Sequence, residues 1–190
     1  MIIKRKKITS GYNKPEVIFL NYENYKRARN ASWECIINCS IDKLPTDLSQ
    51  ICHHYGIRII KNSDLTTNKL TADEKGKVVK KDNLCYIVVR DTDAIPIQRY
   101  TIAHELGHIL IEQASEYEAE RFAIGILAPA CVLWGLKIKS PEEISKLCNI
   151  SLKAATIRSQ RMQVLYERNK FLIEPLERKL YKQFDSFINS

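Results

Sequence analysis

Apolar positions recur at two different spacings along this 190-residue chain, and the alternation between them sets out its elements. From about residue 22 to 38, Tyr25, Ala28, Trp33, Ile36 and Ile37 fall roughly three or four apart, which predicts a helix with one face on a core. The segment "LPTDLSQICHHYG" repeats that pattern with Leu48, Ile51 and Cys52, with Thr46 expected as its cap and Gly56 as its end. "IRII" at 57–60 and "LCYIVVR" at 84–90 are short and β-branched and predict strands, with the turn residues of "DEKGK" at 73–77 between them. Helical spacing returns from about Ile97 to Ile111, through Ile102, Ala103, Leu106, Ile109 and Leu110. A further helix is expected from about Ser115 to Leu127, stopping before Pro129.

Two shorter helices follow in the pattern. Ser140 with Pro141 caps "SPEEISKLC", and Ser151 caps "SLKAATIRSQRM". The end of the chain puts Leu176, Leu180, Phe184 and Phe187 on one stripe, a helix that is either docked or seeking a partner. Together these elements predict an α+β fold, mostly helical, with one small and mostly antiparallel sheet.

Composition changes this picture little. Hydrophobic residues at 45% and charged residues at 27% are those of an ordinary soluble globular protein. No apolar run approaches the roughly 20 residues that span a bilayer, so no membrane partner is expected. The basic start lacks the apolar stretch of a secretory signal, and a cytoplasmic location is expected. The six cysteines contain no C-x-x-C pair and read as small buried hydrophobes in a reducing compartment.

Charge divides the chain more sharply. Residues 1–29 carry a net +6, residues 30–135 a net −3 and residues 136–190 a net +5, for +8 in all. Three parts are expected: a basic N-terminal segment (1–29), a core holding the chemistry (30–135) and a C-terminal helical region (136–190). The basic ends are expected to be solvated surface before they are nucleic-acid contacts.

The chemistry sits in "TIAHELGHIL", residues 101–110. His104 and His108 are four apart, so on a helix their nitrogens share a face and can converge on one ion. Zinc accepts imidazole nitrogen at about 2.0–2.1 Å. Glu105, about 100° further round the axis, cannot easily share that ion but can reach a water beside it, where a general base is required. The pattern predicts a metal site.

A third ligand is not given by the motif. The extended form H-E-x-x-H-x-x-G-x-x-H is excluded, because Ile111 and Ala114 stand where Gly and His would be needed. His53 and His54 lie on a distant helix and are expected at the surface or at a helix end. Nearby acids are Glu112, Glu116, Glu118 and Glu120. With Ala119, Phe122, Ala123 and Ile126 as the buried stripe of their helix, Glu118 and Glu120 flank its two edges. Glu118 also spells an S-x-x-E capping box with Ser115. Helical geometry says only that the ligand is a glutamate on this helix.

"RYTIAHELGHIL" followed by "EYEAERFAIGILAPACVL" resembles the ImmA/IrrE family of metallopeptidases, whose pattern is H-E-L-G-H, then E-A-(N/D)-x-F-A and a closing proline. "LPTDLSQICHHYGIRII" and "SPEEISKLCNISLKAATIRSQRM" are similar to it too, so the likeness covers roughly residues 30 to 165. The resemblance implies a zincin-like metallopeptidase domain with its sheet over the active-site helix. It implies zinc held by His104, His108 and Glu118, with Glu105 as catalytic base. Glu120 departs from the family's usual Asn or Asp.

The resemblance further implies an endopeptidase that cleaves a helix-turn-helix repressor and so releases transcription in stress or on mobile elements. In such folds an edge strand holds the substrate extended, and "LCYIVVR" is the candidate, a central position being its alternative. Tyr100 and Tyr117 lie near the motif without an assigned role. Residues 141–162 space like a helix-turn-helix in which Arg158 and Arg161 could face phosphate, although scaffold or substrate docking is the stronger expectation. The alternative function is a non-catalytic module with a structural metal, binding DNA or a repressor. The tail at 174–188 could act as a lid over the cleft.

Overall fold

The computed structural model describes residues 15–82 and 84–190, with side chains from Tyr22 onwards. The basic start of the chain, through residue 14, lies outside the described residues. Helix α1 (Pro15–Asn38) begins well before the expected residue 22 and runs through the boundary placed at 29. Helix α2 (Leu48–His54) buries Leu48, Ile51 and Cys52, as its spacing predicted. Gly56 follows it at φ 65°, where a side chain would be strained.

Thr46 does not cap α2. Asp47 does, accepting from the backbone N–H groups of Ser49 and Gln50. Thr46 is fully buried instead, and its hydroxyl donates to the carbonyl of Ile126 at 2.6 Å. Both residues can cap in principle, and burial decides between them, because Thr46 is needed to satisfy a carbonyl on another helix.

Three strands form the sheet, β1 (Ile57–Lys61), β2 (Gly76–Lys81) and β3 (Leu84–Val89), in the order β1-β3-β2. β1 and β3 are parallel and β2 and β3 antiparallel, so the sheet is mixed rather than mostly antiparallel. The cause is the tight hairpin between β2 and β3, where Lys81 pairs with Leu84 and Asp82 stands at φ 50°. The long connection before β2 turns the chain round, leaving β3 to run the same way as β1. β3 is therefore the central strand, paired on both sides, and is not an edge. Its buried Ile87, Val88 and Val89 agree with that position.

β2 was not among the expected strands. "GKVVKK" offers two apolar residues among lysines, which is how an outer strand is kept from pairing with another chain.

Helices α3 (Ile95–Leu110) and α4 (Glu116–Leu127) fold back on one another as the stop at Ile111 requires. α3 lies between the sheet and α4, and α4 between α3 and α1. Gly107 makes the α3–α4 crossing close. A Cβ there would stand 2.9 Å from Ala119 Cα and 3.2 Å from its carbonyl oxygen. Ala119, Phe122, Ala123 and Ile126 are all fully buried, the stripe that spacing had assigned to α4.

α5 (Ala130–Gly135) adds a short buried turn of helix that periodicity had not marked. α6 (Pro141–Cys148) and α7 (Leu152–Glu167) start at Ser140 and Ser151, whose hydroxyls accept from Glu143 N–H and Ala154 N–H. The tail is α8 (Pro175–Gln183) and α9 (Asp185–Ile188). Leu180 and Phe184 are fully buried, α8 packs on α1 and α5, and the Gln183 amide donates to the carbonyls of Ile36 and Ile41. One apolar cluster runs from Ala28 to Phe184, through all the larger helices. Among the described residues, no helix is long and apolar enough to cross a membrane.

Candidate metal centre

α3 carries both imidazoles on the face that turns toward the start of α4. The Nε2 atoms of His104 and His108 are 3.1 Å apart. The carboxylate of Glu116 reaches both, at 3.4 Å from His104 Nε2 and 3.7 Å from His108 Nε2. Donors bonded at about 2.0–2.1 Å to one tetrahedral ion stand about 3.3 Å from each other. The three groups therefore have the separation of ligands around a shared cation, and His104, His108 and Glu116 could hold a metal ion.

Their surroundings suit that role. Burial, and then the neighbouring His108, push the pKa of His104 below its ordinary value, although Glu116 and Glu120 pull the other way. A neutral imidazole is the form that binds a metal. The His104 Nδ1 is buried without a hydrogen-bond partner among the described residues, leaving Nε2 as the nitrogen turned to the site. Glu116 is largely exposed, so the centre opens to solvent on the α4 side.

Glu118 is elsewhere. Its carboxylate accepts from the Ser115 N–H at 3.0 Å and the Ser115 hydroxyl at 2.7 Å, while Ser115 accepts in turn from the Glu118 N–H. This is the reciprocal capping box that opens α4. The other oxygen of Glu118 takes two donors from Arg27 of α1, each at 2.6 Å. Burial alone would raise its pKa, but the Ser115 backbone and hydroxyl and Arg27 outweigh burial and hold the carboxyl below its usual range.

In this structure the carboxylate nearest the two histidines is that of Glu116, whereas the resemblance implied Glu118. The signal for this was in the sequence, since S-x-x-E spoke for Glu118 as a cap. Glu112 and Glu120 are exposed, and neither belongs to the group. His53 and His54 end α2 on the surface.

Glu105 is half-buried one residue beyond His104. Burial, more than the nearby carboxylates of Glu116 and Glu74, pushes its pKa up, and His108 opposes them. Gly76, the first residue of β2, lies against it: a Cβ there would be 3.7 Å from Glu105 Cγ. The outer strand β2 therefore borders the motif at Glu105.

Tyr100 stands over His104 with ring centroids 6.2 Å apart, and Tyr117 carries the Arg121 guanidinium over its ring at 5.1 Å. Five of the six cysteines are buried and all six are free. Comparison with family models, with curated proteins and with solved structures finds no match to this chain.

Proposed function

We propose that this chain is a zinc-dependent endopeptidase with a zincin-like active site, acting on a protein substrate. The single observation that carries the reading is the convergence of His104, His108 and Glu116 on one point, with Glu105 beside it. Two imidazoles and a carboxylate are a donor set that suits zinc and leaves a fourth position free. When bound there, the ion supplies Lewis acidity, which acidifies water and polarises a carbonyl.

The chain's own residues do the rest. Glu105 takes a proton from the attacking water and returns it to the leaving amine, and its raised pKa brings it nearer to the range such a base needs. Glu116 and the two imidazoles would hold the ion. β2 has no strand partner on its outer edge among the described residues, and it would take an extended peptide by main-chain hydrogen bonds.

The resemblance to the ImmA/IrrE peptidases supports a helix-turn-helix repressor as substrate. It also favours the α6–α7 pair as scaffold over direct DNA reading. Arg158 donates to the Ala128 carbonyl at 2.6 Å and Arg161 lies over the Tyr25 ring, so neither is laid out along an exposed recognition face. The test is Glu105→Gln. It should keep about one equivalent of zinc and lose cleavage of a repressor encoded beside this chain by a factor on the order of 10²–10⁴. Undiminished cleavage would show that Glu105 is not the base. Zinc binding with no cleavage by either protein would favour the structural-metal module.

A further inference from the structure

On the other side of α4 from the histidines, a cavity of about 290 Å³ opens between α1, α4, α7 and the loop before α8. Its lining has six basic side chains against two glutamates. One of the two, Glu174, already pairs with Arg29 at 3.4 Å. The other, Glu177, is almost fully buried, and burial pushes its pKa up. Arg121, Arg158, Arg161 and Arg168 form no ion pair among the described residues.

One of these arginines has an unsatisfied buried nitrogen, and a second lies beside a like charge. The Arg121 Nε is buried with no hydrogen-bond partner among the described residues. Arg158 spends its Nε on the Ala128 carbonyl and has the like charge of Arg161 as a neighbour. Stacking holds Arg161 over Tyr25 at 5.1 Å and Arg29 over Trp33 at 4.6 Å. Gathering guanidinium groups in a partly dry space is costly unless an anion joins them.

We infer that this cavity is a binding site for a small phosphorylated ligand, a nucleoside phosphate, with Arg158, Arg161 and Arg168 on its phosphate and the aromatic wall beside its base. Guanidinium forks match the paired oxygens of phosphate and carboxylate but not a halide, and three arginines on one anion favour phosphate, which carries more oxygens and more charge than a carboxylate. Tyr22, more than half exposed at the mouth, offers a free ring face on which a base can stack. The volume is at the small end of ligand pockets and admits a mononucleotide rather than a nucleic-acid strand. This site shares no residue with the metal centre, and the inference stands whether or not the chain cleaves peptides.

Isothermal titration of the full chain with AMP, adenosine, inorganic phosphate and a ten-nucleotide single strand tests it. AMP should bind once per chain, adenosine and inorganic phosphate each at least about tenfold more weakly, and the strand no better than AMP. Arg161→Gln and the exposed Arg168→Gln should each weaken AMP about tenfold, with far-ultraviolet circular dichroism unchanged. No AMP binding at millimolar concentration, adenosine binding as tightly as AMP, or full affinity in both variants would overturn the site. Phosphate binding as tightly as AMP would overturn the nucleoside, and tighter binding of the strand would replace the small ligand with nucleic acid.

Discussion

Replacing Glu118 and Glu116 separately by glutamine splits two roles that their spacing invites one to confuse. Glu118 is 1% exposed, closes the capping box with Ser115 and receives both donors of Arg27. The cap itself survives this change, because Ser115 still accepts from the residue-118 N–H and glutamine also closes a capping box. The Arg27 pair is harder to value. A fully buried pair costs about 3–5 kcal/mol to break and an exposed one no more than about 1 kcal/mol. Arg27 is half in water and can be rehydrated, so about 1–2 kcal/mol is reasonable here.

Glu118→Gln should therefore destabilise the protein by about 1–2 kcal/mol, lowering Tm by roughly 2–8 °C for a chain of this size. It should leave the zinc content near one equivalent. Glu116→Gln should do the reverse, because its largely exposed carboxylate supports little packing. Its Tm without metal should stay within about 2 °C, while zinc affinity falls by at least tenfold. Melting of the chelated proteins by circular dichroism and zinc competition with a chromophoric chelator read both quantities. If Glu118→Gln releases zinc while its apo Tm holds, and Glu116→Gln keeps zinc, the two assignments are interchanged and the reasoning fails.

Three further outcomes follow from the same coordinates. Gly107→Ala drives a methyl into the Ala119 backbone, so α3 and α4 must separate; about 1–3 kcal/mol of stability and much of the zinc affinity should go with it, read by melting and by metal competition. Leu180→Ala should cost about 2–5 kcal/mol, and a chain ending at Glu174 should fail to fold; faster cleavage by the shortened chain would restore the lid that the buried Leu180 and Phe184 now argue against. The folded pKa of Glu118 is depressed, so its contribution is present above the ordinary carboxylate range and is lost as pH falls through the folded value. The Tm gap between parent and Glu118→Gln should thus shrink from pH 7 toward pH 3, and a gap that widens in acid would contradict the Arg27 and Ser115 contacts.

Much of the helical framework was legible because its signals are local. Ser115, Ser140 and Ser151 each cap the helix their position marks, and the apolar stripe of α4 is buried residue by residue. Thr46 and Asp47 show where local reading ends, since both adjacent residues can cap and Thr46 is drawn away by the Ile126 carbonyl 80 positions along the chain. Strand order depends on partners rather than pattern. "LCYIVVR" reads the same at an edge or in the middle, and "GKVVKK" is too polar to announce the strand that flanks it.

The identity of the third acid follows from rotation about α4. Successive residues turn by about 100°, so Glu116 and Glu118 stand about 160° apart and cannot both face the imidazole pair. Which one does is set by the part of α4 that meets α3, and Gly107 fixes that contact at Ala119. Ala119 lies about 60° round from Glu116 and about 100° from Glu118. Bringing Ala119 onto Gly107 therefore swings Glu116 over the histidines and turns Glu118 toward α1, where Arg27 is waiting for it. The glycine inside the motif thus helps to place the carboxylate that could join the two imidazoles on an ion. Any change that rotates α4 on that contact should exchange the two carboxylates before it unfolds the helix.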